Sequence, residues 1–197
     1  MKTVPLIQPA PRAPTSEAAL ASVERFRRLI SNGSWFAAVG AQLTAAELGE
    51  VASYLAAIGL GRWSIRAVQD WAQAGALSAR DVWDSEWREA EQDLRLRLFE
   101  AARAGLDEAQ LNASLATVAE AAQDAVHGAA ALVAARSGSA DAALLREAAS
   151  AAASASADAA LALATGGNAD HPFATKHRLF AAGRWPLGVV DGQFHLF

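Results

Sequence analysis

No cysteine occurs anywhere in the 197 residues, which excludes disulfides, zinc-thiolate sites and thiol nucleophiles. Lysine is almost missing as well. Only Lys2 and Lys176 occur, arginine supplies the remaining fixed positive charge, and isoleucine and asparagine are scarce beside a large excess of alanine. That usage matches GC-rich bacterial coding, so an arginine is no functional signal in itself. Excess positive charge is lacking too: the formal charge is -4 and the pI near 5.6, which argues against nucleic acid as a partner, because phosphate binding needs a basic surface. No run reaches the roughly 18 consecutive apolar residues of a membrane span. The start of the chain lacks a signal-peptide core, since Pro5, Pro9, Pro11 and Pro14 follow Lys2. The expected location is the cytoplasm, with no membrane partner. P-loop, dinucleotide, nucleophile-elbow and zinc motifs are also missing, and no cofactor is expected.

What the chain does have is alanine. Between Asp107 and Thr165 it is so dense that two long helices are predicted, because alanine loses no rotamer entropy on entering a helix. Ser137-Gly138-Ser139 marks the break between them. Small side chains at the contact let the two axes approach closely, so residues 107–165 are read as an antiparallel hairpin. Its polar stripes are narrow: Thr117, Glu120, Asp124 and His127 on the first helix, Glu147, Ser150, Ser154 and Asp158 on the second. Most of the remaining circumference must then meet other helices.

The expected fold is mainly α: a single-domain multi-helix bundle around the hairpin, with a C-terminal two-stranded β-hairpin. Residues 1–14 hold four of the six prolines and are read as an extended arm whose Val4, Leu6 and Ile7 suit a helical groove, with one helical domain over 15–197. Thr15 or Ser16 caps a first helix ending at Asn32-Gly33, and Thr44-Ala45-Ala46-Glu47 forms a capping box for the next. Ser64 is expected to cap a short helix through Trp71, stopped by Gly75. A second box, Ser78-Ala79-Arg80-Asp81, would open a helix running to about Ala104. On that helix Asp84 with Arg88, Glu91 with Arg95 and Asp93 with Arg97 stand i to i+4 and read as a solvated face. Trp83, Trp87, Ala90, Leu94 and Leu98 read as its core stripe. Pro172 starts a short helix with Lys176, His177 and Arg178 exposed. Asp191-Gly192 then turns a hairpin over 185–197, setting Val189 opposite Phe194 and Leu187 opposite Leu196.

Three places carry candidate chemistry. Glu120, Asp124 and His127 fall on one helix face and would make half of a bundle metal site, although the facing helix offers no matching set. His171, His177 and His195, with Asp170 or Asp191, are a candidate acid-base group. Trp185 and Arg184, at the mouth of the hairpin, are candidate contact residues because tryptophan and arginine are enriched at binding hot spots. Glu86, Glu89 and Asp93 supply an acidic surface that would suit a basic partner.

The run Ala119-Glu120-Ala121-Ala122-Gln123-Asp124-Ala125-Val126-His127-Gly128-Ala129-Ala130, with the alanine-serine helix behind it and Trp71, Trp83 and Trp87 ahead, resembles the alanine-rich helical immunity proteins of bacterial polymorphic-toxin systems. The resemblance covers roughly residues 60 to 165 and implies a cytoplasmic protein that neutralises a cognate toxin by binding it, without chemistry. The expectation is therefore a non-enzymatic protein-binding module. The alternatives are a small metal-binding protein or enzyme using the groups above, and an oligomeric module, such as a homodimer, assembling through the alanine helices or the hairpin edge.

Overall fold

The computed structural model describes residues 15–79, 83–137 and 142–197. The expectations for the proline-rich arm, for Gly138-Ser139 and for Arg80-Asp81 lie outside the described residues. Among the described residues seven α-helices and three strands follow in order: α1 (Ser16–Leu29), a 3-10 turn (Ile30–Asn32), α2 (Ala45–Ala57), β1 (Ser64–Ala67), α3 (Trp71–Ser78), α4 (Ser85–Arg103), α5 (Glu108–Ser137), α6 (Ala142–Ala164), α7 (Pro172–Ala181), β2 (Pro186–Val190) and β3 (Gln193–Leu196). The expected mainly helical bundle with a C-terminal hairpin is what the chain forms.

The helix starts follow local chemistry. Thr15 Oγ1 accepts from the Ala18 amide, and Thr44 with Glu47 completes a reciprocal capping box. Asp70 Oδ1 accepts from the Gln73 amide at 2.7 Å to open α3. Asp84, rather than Ser78, caps α4, accepting from the Glu86 amide at 2.9 Å. Ser78 is instead the last residue of α3. Ser64 begins a strand and not a helix. The hydroxyl signal there is local, whereas pairing with β3, more than a hundred residues away, satisfies the whole backbone of the segment.

The alanine hairpin forms as expected, and α6 is its buried member. Leu144, Leu145, Ala148, Ala152, Ala155, Ala159 and Leu161 are all enclosed, and α6 packs against α5, α7, α1 and α4. A mostly alanine helix suits such enclosure, because small side chains let neighbouring axes approach towards the short end of the roughly 8 to 10 Å range.

The sheet has the order β1-β3-β2. β3 pairs parallel to β1, Ile65 opposite Phe194, and antiparallel to β2, Val189 opposite Phe194. Asp191 and Gly192 take φ values of 53° and 72°, as the two-residue turn requires. Further out, Leu196 lies opposite Pro186 and not Leu187, because a bulge falls between Pro186 and Gly188. Gly188, at φ 142°, lies against the Trp83 ring, where an added Cβ would stand 2.6 Å from the indole. A second apolar cluster fills the space between α2, α4 and this sheet, built from Val51, Tyr54, Leu55, Trp87, Val189 and Phe194.

Candidate functional site

The densest polar chemistry lies inside the molecule, where α2, α4, α6 and α7 meet. α4 turns Glu91 inward beside Trp87, both buried. Trp87 Nε1 donates to the Tyr54 hydroxyl at 2.5 Å, and that hydroxyl donates to Glu91. Lys176 Nζ, from α7, stands 2.7 Å from both Glu91 carboxylate oxygens and 4.7 Å from the centre of the Trp87 ring. Burial, and then the Glu91 charge, pushes the Tyr54 phenol well above its ordinary range, so the phenol keeps its proton and remains a donor.

One turn along α4, Arg95 makes a two-pronged bond to Asp158 of α6, at 2.6 and 2.7 Å, and its third nitrogen donates to Gln92 at 2.6 Å. Bonding to Asp158 raises the Arg95 guanidinium further above its usual value. This pair forms one wall of a groove of about 500 Å3 whose other walls include Phe99, Asn112 and Leu115. Two carboxylates thus meet two cations in the core, so the sum of charge is zero. Lys176, gripped by Glu91 at both oxygens, is not free to act as a nucleophile, and the arrangement orients helices.

The histidines have three separate tasks. His171 caps α7, its Nδ1 accepting from the Phe173 amide at 3.2 Å. His177 is buried, Nδ1 3.1 Å from Ser156 Oγ, with the edges of Phe26 and Trp35 against its ring. Ser156 donates its own proton to the Ala152 carbonyl, so the imidazole carries its hydrogen on Nδ1. Burial, with a smaller contribution from the Arg178 charge, lowers His177 to about 4. His195 lies in β3, level with Arg66 of β1 and Gly188 of β2. The expected acid-base cluster does not assemble: a cap, a packed neutral ring and a strand position do not converge on one substrate atom. Lys176 and His177 are likewise buried where exposure was expected.

Trp185 and Arg184 are only 2% and 3% exposed, which removes both as contact residues. Trp185 exchanges backbone hydrogen bonds with Phe197, at 2.5 and 2.9 Å. The Arg184 guanidinium spans Glu47, at 2.7 and 3.2 Å, and the carbonyls of Ala38, Ala41 and Gln42. That bonding holds Glu47 down to about 2 and ties the segment before α2 to the end of α7. The sequence signal fails here because one arginine beside an aromatic reads the same on a surface as in a buried staple.

Glu120, Asp124 and His127 do share a face of α5 and are exposed. Among the described residues no three His, Asp or Glu side chains are placed together to hold a metal ion. α6 offers nothing to complete the set, since Asp158 is committed to Arg95 and Glu147 points to solvent. Glu89 and Asp93 are exposed, and Glu86 is bonded to Arg62.

The outer face of α4 combines those acids with an apolar centre that sequence reading missed. Leu96 is 51% exposed, with Asp93 three residues before it, Glu100 four after and Glu89 seven before, all turned to solvent. Positions at these spacings lie on one helical face. The available signal was a leucine falling out of register with the Trp87, Leu94 and Leu98 stripe. No family model, curated protein or solved structure matches this chain.

Proposed function

We propose that this chain is a non-enzymatic protein-binding module that uses the outer face of α4, and that it acts as an immunity or antitoxin-like protein, neutralising a toxin by direct contact. The carrying observation is Leu96, a large apolar side chain half out in water, with Glu89, Asp93 and Glu100 on its side of α4 and Arg97 and Arg103 among them. An apolar centre with a polar, charged rim is the common plan of a non-obligate interface. The Glu89 and Asp93 end of that rim suits a basic partner surface, and the charge would speed encounter more than it would tighten the complex. The neutral, fully paired core supports the same reading, because its ionisable groups are spent on holding α4 in place.

The test is capture of partners by the tagged chain from its own cells, followed by binding kinetics with the partner recovered. The double charge reversal Glu89→Lys with Asp93→Lys should slow association by about tenfold at low salt, an effect that fades as salt is added. Leu96→Asp should weaken the complex by about 1 to 3 kcal/mol while circular dichroism stays unchanged. Capture that is indifferent to all three substitutions would sink the assignment of this face, and a chain recovered with no protein partner would sink the binding function itself.

A further inference from the structure

We propose that a second copy of this chain docks on the groove between the 33–39 loop and the C-terminal half of α5, forming a two-fold dimer with Leu132 as its central knob. The inference is independent of the α4 reading. The groove holds about 520 Å3 and is lined by Gly33, Trp35, Val39, Ala129, Val133 and Arg136, with Leu132 at its edge. Leu132 is 59% exposed.

The hollow is built in advance. Gly33 lies flat on the Trp35 indole, where a Cβ would fall 2.6 Å from the ring, and the same indole makes an edge contact with His177, ring centres 5.8 Å apart. Phe36 is buried with φ at 59°, a left-handed conformation that surrounding packing must enforce. The Trp35 Nε1 proton, shielded at the groove floor, meets no acceptor among the described residues. A buried donor without an acceptor is unfavourable, and an incoming chain would supply one.

A second copy fits because knob and hollow sit side by side on one patch, the condition for a two-fold contact in which each partner gives and receives the same residue. Along α5 the patch continues as Ala121, Ala125, Gly128 and Leu132, spaced four, three and four, the pattern of a helix face that meets another helix. An added Cβ on Gly128 would touch nothing within 4 Å, so the seam is open to a close neighbour. Charge agrees as well. In a chain of net charge -4 this seam is flanked by one acid, Asp124, and one base, Arg136, which a two-fold contact can set against each other. Asp124 flanks the seam beside Ala125, and Arg136 lies one turn beyond Leu132. With two antiparallel α5 helices crossing at Leu132, each Arg136 falls about 6 Å along the axis from the opposing Asp124, at 1.5 Å per residue, within an arginine's reach.

Sedimentation of the full chain across the micromolar range should give a mass approaching twice 20.5 kDa. Leu132→Asp should return it to a monomer with unchanged circular dichroism and urea midpoint, since the side chain lies largely outside the core. The chain has no cysteine, so Leu132→Cys introduces the sole thiol. Oxidation with diamide should link it into a dimer rapidly, and Leu96→Cys should link far more slowly. A monomer throughout the range, a dimer that survives Leu132→Asp, or equal linking at the two cysteines would each overturn the proposal. So would a chain that dimerises only after residues 1–14 are removed, which would assign the groove to that segment, and so would a monomer whose partner capture is abolished by Leu132→Asp.

Discussion

Lys176 is held between a carboxylate and an indole face, and such a placement makes the loss of one partner costlier than the loss of both. Removing the ammonium alone strands Glu91 in the core. Lys176→Met should therefore cost about 3 to 5 kcal/mol in urea denaturation, whereas Lys176→Met with Glu91→Leu should recover much of that loss. A double variant no more stable than the single one would mean that the pair is not the coupled unit described. His177 gives a second residue-scale expectation, with a definite sign. Its folded pKa, about 4, lies below the unfolded value near 6.5, so the unfolded chain takes up a proton first as pH falls. The stabilisation is complete above pH 6.5 and is lost down to about pH 4, at about 1.4 kcal/mol per unit and about 3 kcal/mol in all. His177→Phe retains a ring between Phe26 and Trp35 and should flatten the slope of stability within that window. An unchanged slope would show that other groups carry it.

At the level of elements, the bulge in β2 shows how a strand and a helix settle each other's sequence. The amide of Asp84 donates to the Val189 carbonyl at 3.0 Å, which brings the start of α4 onto the edge of β2, and Trp83 then occupies the space above Gly188. Gly188→Ala would set a Cβ within 3 Å of that indole at a φ that L residues rarely adopt. A loss of about 2 kcal/mol or more is expected from strain and clash together, read as a lowered thermal midpoint. A neutral outcome would mean that Trp83 moves aside freely. The same junction explains the displaced start of α4. Ser78 carries the sequence pattern of a cap, yet Asp84 is the residue that the strand contact places at the helix entrance.

Across the whole molecule, α6 is the organising axis, and the two proposed contact surfaces belong to different helices around it, α4 and α5. The leucine-centred α4 face, with Glu89 and Asp93 at one end, suits an unlike partner, and the alanine-lined α5 seam, with Asp124 and Arg136 beside it, suits a like one. Reading the chain by itself was enough for the helical hairpin, the capping box at Thr44 and the Asp191-Gly192 turn, because alanine propensity, capping and positive φ act over a few residues. The third strand was not legible, since Ser64–Ala67 pairs with residues far along the chain and carries little periodicity of its own. Nor was the polar core. Glu91 and Arg95 stand four apart and look like partners on a solvated helix face, but they rotate inward to Lys176 and Asp158, and only packing decides which side of a helix is dry. For the same reason Trp185 and Arg184, read as candidate contacts, lie in the core, while Leu96 and Leu132 stand at the surface. Residue type sets what a side chain can do, and the tertiary arrangement decides whether it meets water.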